Sequence, residues 1–183
     1  MKKFRRWLSL VAFASVITIA ASSDALVARG VVRPAARVVD ANGRTLDLGS
    51  IQGRPTLVVY EDKRSATLNT QLKAELSRLA RGERYRSAVA LVPVADVRDY
   101  DFWPARGFVK DAIRSESKKI GATIYCDWDG SFGRTFGIQH GTSTVILIGK
   151  NGRVLHAQEG KLSPADTKQV LDLLRGEIDG SSS

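Results

Sequence analysis

The stretch Pro55-Thr-Leu-Val-Val-Tyr-Glu-Asp-Lys-Arg-Ser-Ala-Thr-Leu68 constrains the fold more than any other part of the chain. Leu57, Val58, Val59 and Tyr60 form an unbroken apolar run, which predicts a strand buried on both faces. Leu68, Leu72, Leu76 and Leu79 then recur at helical spacing. A buried strand passing through a charged turn into an amphipathic helix is the repeating unit of an open α/β sheet. In such sheets this turn lies at the carboxyl edge of the strands, where ligands and catalytic groups gather. The helix is expected to run to about Arg81 and to end on Gly82 as its C-cap.

The same alternation continues on both sides. Asn42-Gly43 between two short apolar segments predicts a hairpin with a two-residue turn. Residues 88–92 read as the next buried strand, ended by Pro93, which has no N–H for a ladder. Pro104 suits a helix start, with Phe108, Val109, Ala112 and Ile113 as the buried face and Gly121 as the cap. Residues 123–127 form a third strand carrying Cys126, followed by a turn at Asp127-Trp-Asp-Gly130 and a short helix over 132–136. Residues 144–148 are a fourth strand, and Asn151-Gly152 returns the chain antiparallel over 153–157. Ser163, Pro164 and Asp166 make a capping box for a last helix with Val170, Leu171, Leu174 and Ile178 as its stripe. The order predicts one α/β domain with a mixed sheet over residues 37–179, preceded by a linker or edge strand over 26–36 and followed by a disordered tail over 180–183.

Residues 1–25 read as a secretory signal. Lys2, Lys3, Arg5 and Arg6 precede an apolar stretch over 8–21, and small residues follow. The stretch is short and wrongly flanked for a membrane span, an uncleaved anchor being its other reading. The mature protein is therefore expected to be exported, periplasmic or extracellular, with the membrane reached only through an uncleaved signal segment. Removing those four cations leaves +5 of the formal charge of +9, spread over the chain. That predicts a solvated basic surface rather than a nucleic-acid face. Cys126 is the sole cysteine, so no intramolecular disulfide forms. It is either a buried filler or acts with a partner thiol.

The segment from Asp40 through Gly43, Leu48, Gly53 and Pro55 to Tyr60, together with Phe136-Gly-Ile-Gln-His-Gly-Thr-Ser-Thr-Val-Ile-Leu-Ile-Gly-Lys-Asn-Gly-Arg153, resembles thioredoxin-fold proteins of the exported TlpA/redoxin type. The Arg64-Ser65 turn and the closing Leu162-Ser-Pro-Ala-Asp166 segment are most similar to the YtfJ-type exported proteins. The resemblance implies a thioredoxin-like mixed sheet flanked by helices, with an N-terminal β-hairpin extension. It also shows two departures. The family's Cys-x-x-Cys pair, whose thiol is activated at a helix N-terminus, falls near Ser65 and Leu68. The family's cis-proline after a threonine is replaced by Ser143 after Thr142, where a trans peptide is expected because a non-proline cis bond costs about 3–4 kcal/mol.

Ser65 is expected to be the helix N-cap; as a nucleophile it would need a base, and His140 is placed by the resemblance to approach it. His156, in the closing hairpin, is expected to face solvent or a neighbour. The aspartates at 96, 99, 101, 127 and 129 read as turn formers rather than a metal site, and no cofactor is expected. The aromatics Tyr100, Phe102 and Trp103 either present a partner surface or fold over the core. The resulting expectation is a redox-inactive module that binds an exported protein, peptide or ligand at an edge formed by Asp62, Lys63, Arg64, Ser65, Trp103, His140, Thr142 and Ser143. The alternative is a single-cysteine oxidoreductase or peroxidase using Cys126.

Overall fold

A computed structural model describes residues 25–180. Most of the predicted signal segment, residues 1–24, and residues 181–183 of the predicted tail lie outside the described residues. Among the described residues, seven strands form one mixed sheet: β1 (Arg37–Asp40), β2 (Thr45–Asp47), β3 (Thr56–Glu61), β4 (Ala90–Asp96), β5 (Tyr125–Asp127), β6 (Thr144–Ile148) and β7 (Val154–Glu159). Their order across the sheet is β2-β1-β5-β4-β3-β6-β7. β3, β4 and β5 run parallel, while β1 and β6 pair antiparallel with them on either side. The helices are α1 (Thr70–Leu79), α2 (Glu83–Ala88), α3 (Ala105–Ile120), α4 (Ser131–Phe136) and α5 (Pro164–Asp179).

β3 is apolar throughout because both of its faces are covered. Val58 and Tyr60 point to a core shared with Val92, Ile146, Phe132 and Phe136 beneath α4. Leu57 and Val59 point the other way, towards Leu72 of α1 and Val170 and Leu174 of α5. α3 covers the far end of this second face, where Val109 and Ile113 pack against Ala41, Cys126 and Trp128. α5 begins with the expected capping box: the Ser163 hydroxyl accepts the Asp166 N–H and the Asp166 carboxylate accepts the Ser163 N–H.

Several local expectations are corrected. The β1–β2 turn is a loop of three residues, 41–43, rather than two, closed by the Asp40 N–H donating to Arg44 O, with Gly43 at φ +85°. The buried Asp40 carboxylate explains it, accepting the N–H groups of Asn42 and Arg44 and the Arg44 guanidinium. Gly82 is extended (φ −80°) and starts α2, a helix not anticipated from sequence, rather than capping α1 in the left-handed region. β4 runs straight through Pro93 to Asp96. The Ala90 N–H donates to Pro55 O on the β3 side, so alternation aims the nitrogen of Pro93 at the β5 side. There β5 begins only opposite Val94, and no ladder bond is lost. Phe108, assigned to a buried helix face, is 70% exposed.

Gly133 in α4 shows how tightly the first core is closed. A Cβ there would lie 2.8 Å from the buried Tyr60 hydroxyl. Alanine's helix preference is worth about 0.5–1 kcal/mol, while forcing a methyl into a packed core costs roughly 1–3 kcal/mol. Gly133→Ala is therefore expected to destabilise by about 1–2 kcal/mol in urea titration, despite sitting in a helix.

Candidate functional site at the carboxyl edge

β3 ends at Glu61 and the chain turns back on Asp62. Its Oδ1 accepts the backbone N–H groups of Arg64 (3.0 Å) and Ser65 (2.7 Å) and the Ser65 hydroxyl (2.6 Å). Burial pushes the Asp62 carboxyl up, but these donors outweigh it and hold it below the usual carboxylate range. Ser65 is buried and is not the N-cap of α1; that position belongs to Asn69. The reason is competition: Asp62 captures the hydroxyl and closes an Asx turn, and a second turn joins the Leu68 N–H to Ser65 O. Leu68 therefore precedes the helix and is partly exposed rather than part of its stripe. The side chains of Lys63 and Arg64 are exposed and form no ion pair among the described residues.

Beneath the turn lies a hydrogen-bonded seam that sequence reasoning missed. The Ser143 hydroxyl donates to Glu61 Oε1 (2.9 Å) and accepts from Asn69 Nδ2 (2.8 Å). Asn69 Nδ2 also donates to Gly160 O (3.0 Å), and its Oδ1 accepts the Leu162 N–H (2.9 Å). Lys73 Nζ closes the seam on Glu61 Oε2 at 2.6 Å. The Thr142–Ser143 peptide is trans, as expected, and Thr142 Oγ1 donates to Gln139 O. Asn69 looks like an ordinary polar residue in the sequence. Its only local signal is its place just before the first turn of a helix.

His140 does not reach Ser65. Its Nδ1 lies 2.9 Å from Asp96 Oδ2 and its Nε2 lies 3.4 Å from Asp99 Oδ2. Asp96 is buried and also accepts from Arg98 Nε (2.9 Å). Arg98 Nη2 donates to the Tyr60 hydroxyl (3.0 Å), which donates to Asp127 Oδ2 (2.9 Å). Burial beside Asp127 pushes the Tyr60 phenol far above its usual range, so it remains a donor. Asp127 in turn accepts the N–H groups of Phe132 and Gly133 at the start of α4. This chain ties β3, β4, β5 and the 137–143 loop together just below the edge. His156, the other histidine, is buried with Nε2 unpartnered among the described residues, and burial lowers its pKa.

The aromatic loop splits between its two readings. Tyr100 packs against the Ala41–Cys126–Trp128 cluster, while Phe102 and Trp103 face solvent, Trp103 at 91% exposure. The structure thus gathers Asp62 and Ser65 into one turn and holds Ser143 under it. Lys63, Arg64, Thr142 and His140 occupy the rim, and Trp103 stands free.

Cys126 lies on β5 between Val39 and Ala95 and is 1% exposed. Burial, reinforced by the Asp40 charge, pushes its thiol from the ordinary 9.0 up to about 11. The native thiol holds its proton to higher pH than the unfolded one. Its contribution to stability is fully present below pH 9 and is lost as pH rises towards 11. At 1.36 kcal/mol per unit, that loss is about 2–3 kcal/mol. Urea midpoints measured from pH 8 to pH 11 are expected to fall less steeply for Cys126→Ala than for the native chain.

The parallel β3–β4–β5 core, the β3–α1 turn at its carboxyl edge and the closing β6–β7–α5 unit define a thioredoxin-like α/β protein. Solved structures share this fold. A Chlorobium tepidum protein given the name thiol:disulfide interchange protein DsbE aligns with TM-score 0.62 at 17% identity, covering 83% of this chain and 99% of that one. The thioredoxin domain of thiol-disulfide oxidoreductase BVU-2223 from Bacteroides vulgatus aligns with TM-score 0.57 at 16% identity, covering 80% and 97%. The exposed lipoprotein thioredoxin Etrx1 of Streptococcus pneumoniae aligns with TM-score 0.56 at 15% identity, covering 76% and 99%. No curated protein matches the sequence. The chain belongs to the family described as "Bacterial protein of unknown function (YtfJ_HI0045)", whose model matches residues 69–177.

Proposed function

We propose that the protein is an exported, redox-inactive thioredoxin-fold module that binds a protein, peptide or small ligand at its carboxyl edge. The observation that carries this reading is the state of the edge: Ser65 is locked on Asp62, and the sole thiol is sealed in the sheet. A hydroxyl cannot cycle through a disulfide, and a buried, proton-holding thiol is a poor nucleophile. What the edge retains is recognition chemistry. Lys63 and Arg64 offer unpaired cations, Thr142 and His140 polar contacts, and Trp103 a large aromatic anchor of the type that dominates interfaces. Asp62, Ser65 and Ser143 hold that rim in place. Export is supported by the basic and then apolar character of residues 1–25. The partner is accordingly sought among exported proteins and peptides, not nucleic acids.

The test is affinity capture from the extracytoplasmic fraction with the native chain, Lys63→Glu/Arg64→Glu and Trp103→Ser. The native chain is expected to retain a partner that both variants lose while unfolding like wild type. Identical captured sets for all three proteins, or insulin reduction abolished by Cys126→Ser, would refute the reading.

A further inference from the structure

The sheet face shared by α1, α5 and α3 is not fully covered. α1 and α5 pack over β3, β6 and β7, and α3 packs over β5, β1 and the Ala95 end of β4, leaving Leu91 and Pro93 of β4 without a helix above them. The gap is a groove of about 1180 Å³. Leu91, Pro93 and Ala95 are its floor, Leu76, Leu79 and Val89 one wall, and Phe108, Ile113 and Ile120 the other. Leu91 is 39% exposed although β4 is an internal strand, and Ile120 is 50% exposed. Continuous apolar surface of this kind marks a binding site rather than ordinary scatter.

The two ends of the groove differ in charge. Near the α1–α2 junction, Arg81 and Arg86 line it, and neither side chain has a hydrogen bond or ion pair among the described residues. At the opposite end, Glu61, Asp62 and Lys63 line it. Glu61 is held by Lys73 and Asp62 is closed on its own turn, while Lys63 forms no ion pair among the described residues. The groove is therefore apolar along its length, with two unpaired guanidinium groups at one end and a mixed-charge rim at the other.

Its dimensions narrow the choice of occupant. The seven residues of β4 span roughly 20 Å at about 3.3 Å each. The uncovered strip is a single strand, about 4.8 Å wide, narrower than a helix roughly 10–12 Å across. An extended peptide finds no free ladder either, because β3 and β4 are both internal. A flexible hydrocarbon chain needs neither. We propose that this groove binds a single-chain anionic amphiphile, a long-chain carboxylate. Its tail lies along β4 and its head is clamped by Arg81 and Arg86 through charge-assisted bonds of the fork type.

The experiment uses the full chain and cis-parinaric acid, a fluorescent long-chain carboxylate, with dodecanoate and dodecanol as competitors. Saturable one-site binding displaced by dodecanoate is expected. Arg81→Ala/Arg86→Ala should weaken dodecanoate by about tenfold or more, equivalent to 1.4 kcal/mol, and leave dodecanol unchanged. Ala112→Trp places an indole in the groove from the exposed side of α3 and should abolish binding of both. It is expected to keep the native urea midpoint, which the same titration checks, and it carries the same N-terminal apolar stretch, so loss of binding at an unchanged midpoint belongs to the groove. Trp103→Ser, which tests the carboxyl edge, should bind like wild type. The proposal is overturned by absence of saturable binding, by equal binding in Ala112→Trp, by equal weakening of the alcohol, or by an amphipathic helical peptide binding where the carboxylate does not.

Discussion

Replacing Arg98 with leucine is expected to cost about 3–5 kcal/mol of folding stability, the range for breaking a buried ion pair by removing one partner. Its guanidinium is the link between two buried carboxylates, reaching Asp96 directly and Asp127 through the Tyr60 hydroxyl. Leucine fills part of the volume and supplies no donor. Asp96 would keep only the long bond from the residue-98 backbone N–H (3.4 Å) and His140 across its second oxygen, and Tyr60 would lose one of its two partners. The glycines around the guanidinium show how closely it is held. A Cβ on Gly130 would lie 2.7 Å from Arg98 Cζ. At about 2–4 °C per kcal/mol for a chain of this size, the melting temperature should fall by roughly 10 °C. Arg98→Lys should recover part of the loss, since an ammonium restores the charge but cannot fork between Asp96 and Tyr60. A loss below 1 kcal/mol for the leucine variant would mean that water satisfies these groups.

Asn69→Leu should be nearly as costly, by about 3 kcal/mol or more. The side chains are similar in size, so the effect isolates polar satisfaction. Asn69 joins the start of α1 to Ser143, Gly160 and Leu162; the substitution orphans the Gly160 carbonyl and the Leu162 N–H and leaves the Ser143 hydroxyl only its bond to Glu61. Each buried unsatisfied group costs about 1–3 kcal/mol. A double-mutant cycle with Ser143→Ala should give a coupling of about 0.5–1.5 kcal/mol, because the two share one bond. Local effects should follow: amide exchange at Leu162, whose N–H loses its acceptor, should approach that of an open loop. Additive single and double substitutions would show that the seam is not a unit.

Both residues illustrate where sequence reading reaches its limit. The buried strand at Leu57–Tyr60 and the capping box at Ser163 were legible because each signal is local and redundant. The short helix after Gly130 and the Thr144–Ile148 strand were legible for the same reason. Asn69 acts across separations of 74, 91 and 93 residues, which no local pattern encodes. Ser65 was misread because a residue three positions earlier competes for the same hydroxyl. Pro93 was misread because its tolerance depends on where a neighbouring strand begins, thirty-odd residues later in the chain. Helical spacing at Phe108 identified a face correctly but could not tell whether another element fills the space before it. At the edge itself, the residue types were legible and the hydrogen bonds among them were not.

The central claim is that this edge recognises partners and no longer exchanges disulfides. The most direct measurement is the rate at which a small thiol reagent modifies Cys126 in the folded protein, followed by mass spectrometry. The thiol is sealed between β1 and β4, so modification is expected to require opening of the sheet. It should run at least ~10³-fold slower than in denaturant, as expected for a domain stable by about 5 kcal/mol or more. Modification of the native protein at the rate of an unprotected thiol, or a mixed disulfide formed without unfolding, would contradict the account.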